Sequence, residues 1–100
     1  MNDLPYSIYM TLNTQWSLAK INALFTKQGW SSRMCSWTEH EITSAFAELV
    51  IASKSPVLIS GSVDQNPDSI NKITAVLDAA EIDYSFDVFD EDDSLLASRS

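Results

Sequence analysis

The chain has 100 residues, 45% of them hydrophobic and 20% charged, with a formal net charge of −8. That length supports one domain with one core, and the apolar content excludes wholesale disorder and collagen-like or low-complexity structure. No apolar run approaches the roughly 20 residues that span a bilayer, since the best stretch, from Phe46 to Ala52, is broken by Glu48. No Lys or Arg precedes Lys20, which argues against a secretory signal with a basic start. The single Cys35 cannot form an internal disulfide, so the expected compartment is the reducing cytoplasm.

Residues 6–12 alternate, with Tyr6, Ile8, Met10 and Leu12 on one face and Ser7, Tyr9 and Thr11 on the other. This is a strand with one face in the core. A helix capped by Asn13 or Thr14 and running to about Gln28 follows from the stripe Leu18, Ile21, Leu24 and Phe25. Gly29 supplies its left-handed stop, and Trp30 is placed to fold back onto the last turn. Residues 31–37 read as a short strand or a plain connection. Thr38-Glu39-His40-Glu41 reads as a capping box, and Ile42, Ala45, Phe46, Leu49 and Val50 then predict a second helix to about Ser53.

Pro56 opens a strand through Val63 that is apolar on both faces and therefore central. Asn66-Pro67-Asp68 starts a helix with the buried stripe Ile70, Ile73, Leu77 and Ala80. Tyr84–Asp90 alternates again, with Tyr84, Phe86 and Val88 inward, and Leu95-Leu96-Ala97 returns as a short antiparallel strand. Strands joined through helices are expected to be parallel. The predicted fold is thus a single two-layer α/β domain spanning residues 1–100. It has three or four mostly parallel strands and about three helices, mainly on one face. The alternative treats residues 31–53 as a hairpin and yields a ferredoxin-like α+β sandwich.

Charge is unevenly spread. Residues 1–50 carry Asp3, Glu39, Glu41 and Glu48 against Lys20, Lys27 and Arg33, whereas residues 51–100 carry ten acids against Lys54, Lys72 and Arg99. The stretch from Asp78 to Asp93 holds eight acids and no base. Such a field repels phosphate backbones and anionic membranes and attracts cationic partners. No direct nucleic-acid or membrane binding is expected. The partner-binding candidates are Asp83, Asp87, Phe89, Asp90, Glu91, Asp92, Asp93 and Tyr9, the aromatics serving as anchors beside the carboxylates.

Other chemistry finds little support. Cys35 and His40 are the only thiol and imidazole, and neither a glycine turn nor a helix start orients them as a nucleophile and base. A semi-buried cysteine and a surface histidine are the simpler expectation, and the pair is too small a set for zinc. Asp90–Asp93 lacks the glycine of a calcium loop, with Leu95 at its sixth position. Ser60-Gly61-Ser62 reads as a connecting turn, because no Lys follows to bind phosphate and Asp64 and Asp68 would repel it. The outward Tyr9 and Phe89 lack the basic neighbours of an RNA-stacking platform. No cofactor, metal or enzymatic activity is expected.

The predicted order of strand, two helices, strand, helix and strand resembles the barstar family of ribonuclease-neutralising immunity proteins. The resemblance lies in element order across most of the chain. The family's tyrosine–glycine–asparagine segment before its second helix has no counterpart between Gly29 and Trp37, so no contact residue is carried over. With the acidity, it implies a small cytoplasmic inhibitor, a bacterial immunity protein that neutralises a basic partner such as a nuclease toxin. The alternatives are a self-associating regulatory adaptor, homodimeric through an edge strand or open sheet face, and an enzyme or small-ligand binder with an unrecognised site.

Overall fold

A computed structural model describes residues 4–53 and 56–99. The first alternating segment forms strand β1 (Tyr6–Asn13), with Ile8, Met10 and Leu12 buried and Tyr9 turned outward. The strand runs through Asn13, which pairs with Asp83, so the cap of helix α1 (Leu18–Lys27) falls later than expected. There the Ser17 hydroxyl accepts from the Lys20 amide, while Thr14 instead accepts from the Trp16 amide in the connecting turn. Gly29, at φ 92°, ends the helix as predicted. The Trp30 amide donates back to the Phe25 carbonyl, and the two rings meet edge-on at 5.3 Å.

Residues 31–53 hold neither the predicted helix nor a single hairpin. They form three strands, β2 (Ser31–Ser36), β3 (Glu39–Thr43) and β4 (Ala47–Ala52). The apolar residues here satisfy two periods at once. Ile42, Phe46 and Leu49 fit a helix, but Ala47, Leu49 and Ile51 alternate and are fully buried. Strand pairing on both sides of β3 and β4 decides between them. Of the supposed capping box, Thr38 lies in the tight turn after β2, where its amide donates to the Ser36 hydroxyl, and Glu39, His40 and Glu41 open β3. Phe46 lies half-buried between β3 and β4, edge-on to Trp30 at 5.2 Å.

Strand β5 (Val57–Val63) follows, and Ser60-Gly61-Ser62 belongs to it rather than to a turn. Helix α2 (Pro67–Ala79) is capped by Asn66, whose side chain accepts from the Asp68 amide. Strands β6 (Asp83–Phe89) and β7 (Leu95–Arg99) complete the chain.

The sheet has seven strands in the order β2-β3-β4-β5-β1-β6-β7, and every neighbouring pair is antiparallel. This overturns the mostly parallel α/β domain with about three helices. Helix α2 links β5 to β6, which run the same way but are separated by β1. Helix α1 links β1 to the far edge, and β3, β4 and β5 fill the gap. Each crossover therefore skips its parallel mate. The expectation that β5 is central holds, since three strands flank it on each side.

Both helices pack on one face, where Ile21 and Phe25 of α1 and Ile73 and Leu77 of α2 meet Ile8, Leu12, Leu49, Ile51 and Val88. All nine side chains are fully buried. The other face of the sheet carries no helix, and that asymmetry positions the candidate site.

Candidate functional site

Because the even-numbered residues of β1 enter the core, its odd-numbered residues line the open face. Tyr9 is 54% exposed, and it stands opposite Ser60 on β5 and Asp87 on β6. Thr11 lies opposite Leu58 and Ser85, and Ser7 opposite Ser62 and Phe89. The Tyr9 and Phe89 rings touch edge-on at 5.9 Å and 67°, a favourable aromatic geometry. Asp87 accepts from the Ser98 hydroxyl at 2.6 Å, which orients its carboxylate. A hollow of ≈ 230 Å³ opens beside it, lined by Tyr9, Thr11, Ser85, Asp87, Ser98 and Arg99 among others.

The fold brings Tyr9, Asp83, Asp87 and Phe89 onto this face and sets the acidic turn at its end. Asp90, however, organises that turn. Its carboxylate accepts from the amides of Asp92 and Ser94 at 2.8 and 2.9 Å. Asp93 adopts a positive φ of 61°. Glu91, Asp92 and Asp93 are exposed, so the turn offers carboxylates on a fixed loop.

Three acids that the linear reading left out join the same face. Glu39 and Glu41 on β3 and Glu48 on β4 lie in register with Ala52, Val50 and Ser62, on the side away from the helices. Their odd-even phase could have revealed them only if residues 39–52 had been read as strands. Conversely, Asp78 and Glu81, counted in the acidic run, sit at the end of α2. Among the described residues the open face and its turn carry Glu39, Glu41, Glu48, Asp83, Asp87 and residues 90–93 as acids. Besides Arg99 at the hollow, the base there is Arg33, paired with Glu41 at 3.3 Å. Lys20, Lys27 and Lys72 lie on the helix side with Asp64, Asp68, Asp78 and Glu81, and the Arg99 guanidinium reaches that side to bond Tyr84. The molecule is polarised, with one acidic face and one nearly balanced face.

Cys35 and His40 reverse their expected exposures. Cys35 is exposed, and His40 is half-buried with its Nδ1 buried and unpartnered. No group of three or more His, Cys, Asp or Glu side chains converges on a metal-sized site among the described residues. No helix among them is long and apolar enough to cross a membrane. The tryptophans divide three ways, with Trp30 in the core, Trp16 half-buried under Lys20, and Trp37 94% exposed.

Behind the face, Arg99 Nη1 donates to the Tyr84 hydroxyl, which donates to Asp78, each at 2.9 Å. Burial, then the Asp78 bond, raises the Tyr84 phenol above its usual pKa of 10.0. The folded state thus holds this proton more tightly than the unfolded chain. The associated stability is fully present below pH 10 and is lost as pH rises through the folded-state value. Denaturant midpoints measured across that alkaline range should fall more steeply for the native chain than for Tyr84→Phe.

The chain matches no protein-family model, no curated protein and no solved structure.

Proposed function

We propose that the protein is a small acidic inhibitory binding protein that neutralises a basic protein partner, in the manner of an immunity protein for a nuclease toxin. The observation carrying this reading is the polarised charge, with nine acids around the Tyr9–Phe89 anchor against Arg33, paired with Glu41, and Arg99, bonded to Tyr84. The reading rests on that geometry and not on element order, since the second helix, predicted from the Thr38 capping box to about Ser53, is absent. The aromatic pair and Asp87 supply close contacts, while Glu39, Glu48 and the turn acids supply a long-range field. The same field opposes nucleic acid phosphates.

Capture from the native cell at low salt, then stopped-flow mixing with the purified basic partner, tests the reading. Electrostatic steering makes the association rate fall about tenfold or more as salt shortens the screening length to roughly 10 Å at 0.1 M. Dissociation should change far less, because the contacts around Tyr9 are poorly screened. A paired Glu91→Lys and Asp92→Lys variant spares the turn-forming Asp90 and the positive-φ Asp93. It should fold normally and associate more slowly. A flat association rate across the salt series would overturn the proposal.

A further inference from the structure

On the helix side, away from the acidic face, a groove of ≈ 370 Å³ lies between the end of α1 and one flank of α2. Trp30 and Phe46 form its aromatic wall, edge-on to each other at 5.2 Å. Lys72, Ala75, Val76 and Ala79 line the α2 side, and their spacing of three and four residues puts them on one flank of that helix. The two alanines end at Cβ, which leaves the space in front of the rings open. The aromatic wall is held by groups outside the groove. The Trp30 amide donates to the Phe25 carbonyl, and the Phe46 carbonyl accepts from the Asp64 amide at 2.9 Å. Small-molecule sites are concave, mostly apolar, largely pre-formed and about 300–1,000 Å³ in volume, and this groove meets each condition.

We propose that the groove binds a small carboxylate with a single-ring or short branched apolar body. The sign of the ligand charge follows from Lys72, the one ionisable side chain in the lining. Asp68 stands one turn before it, at a spacing where acid and base commonly pair along a helix. The Lys72 ammonium nevertheless makes no ion pair among the described residues, and lies 5.1 Å from the centre of the Phe46 ring. It thus reaches from α2 to the aromatic wall, where a carboxylate meets it beside apolar surface. A phosphate would bring a second charge that nothing in the lining answers.

Helix polarity sets the orientation. Ala79, the last residue of α2, lies about 10 Å beyond Lys72 at 1.5 Å per residue. The carbonyl end of a helix disfavours an anion, so the carboxylate sits at Lys72 and the apolar body lies over Val76 against Trp30. Asp78, next to Ala79, does not line the groove and accepts instead from the Tyr84 hydroxyl. The volume is near the lower limit for such sites, which favours a body of about ring size over a long acyl chain. The site is independent of the Tyr9–Phe89 anchor, which stands on the other face of the sheet.

NMR titration of the isotope-labelled full chain with phenylacetate at constant ionic strength tests this. The Trp30 indole N–H, assigned with Trp16→Phe and Trp37→Phe, and the Ala75 and Val76 amides should shift saturably. A Kd of about 1 mM is expected for a ligand of about ten non-hydrogen atoms on an open groove. Lys72→Gln should weaken phenylacetate about fivefold, the upper range for a partly exposed ion pair, and leave phenylacetamide unchanged. Ala75→Leu fills the groove and should abolish the shifts with both probes. Circular dichroism confirms folding of each variant, and if Ala75→Leu fails to fold, Lys72→Gln decides. The proposal is overturned by the absence of a saturable shift at Trp30, by equal phenylacetate affinity in the native chain and a folded Lys72→Gln, or by unchanged binding in a folded Ala75→Leu. It also fails if the groove signals move on protein dilution without probe, which would make a second copy the occupant.

Discussion

Replacing Phe25 by Ala is expected to lower folding stability by about 3–5 kcal/mol, as a fully buried aromatic truncation does. The side chain is 0% exposed and lies where α1 meets the sheet, edge-on to Trp30. Trp30 in turn contacts Phe46 edge-on, so the cavity would loosen a three-ring stack that ties α1 to the β3–β4 connection. Small domains have only about 5–15 kcal/mol in total, and this one substitution would remove a large share. Urea denaturation gives the value directly. Ile73→Ala on α2, also 0% exposed, should cost about 2–5 kcal/mol. Phe46→Ala should cost less, because that ring is half-buried rather than enclosed. A native-like midpoint for Phe25→Ala would contradict the helix packing described above.

Gly61→Ala is expected to be disproportionately destabilising for the addition of one methyl group. The position sits within β5 opposite Leu49, where a Cβ would run into the backbone carbonyl of Glu48 and lie 2.8 Å from the Leu49 Cα. Backbone cannot turn aside as a side chain can, so β4 and β5 must separate locally. Overpacking typically costs about 1–3 kcal/mol and occasionally more, and a clash with main chain belongs at the upper end. Glycine inside a strand commonly marks such a close approach. Ser60→Ala, one residue away, is the control and should move the thermal midpoint little. Equal midpoints for the two variants would show that the β4–β5 seam has room to spare.

Much of the architecture was legible residue by residue. β1, β5, β6 and α2 announced themselves through period-2 alternation, apolar runs and the Asn66-Pro67 start. Gly29 and Trp30 foretold how α1 ends. Each of these signals is local, set by side-chain direction, capping or backbone sterics within a few residues. The acidic strip and its two aromatics were equally visible, and the fold does set Tyr9, Phe89 and Asp87 side by side.

Other features depended on partners distant in sequence. Residues 39–52 satisfied helical and strand periods together, and only hydrogen bonding to β2 and β5 made them strands. That choice also moved Glu39, Glu41 and Glu48 onto the acidic face. Composition by halves could not show this, since the three acids belong to the less charged half. Strand direction was likewise undetermined locally. A helix returns the chain parallel to where it left, but whether the two strands become neighbours depends on what else enters the sheet. Here β1 lies between β5 and β6, and β3 to β5 lie between β1 and β2. By itself the sequence determined the single core, most element starts and stops, and the sign of the charge. Tertiary pairing alone decided which face that charge occupies, because a residue's side of a sheet is set by register with strands far away in the chain.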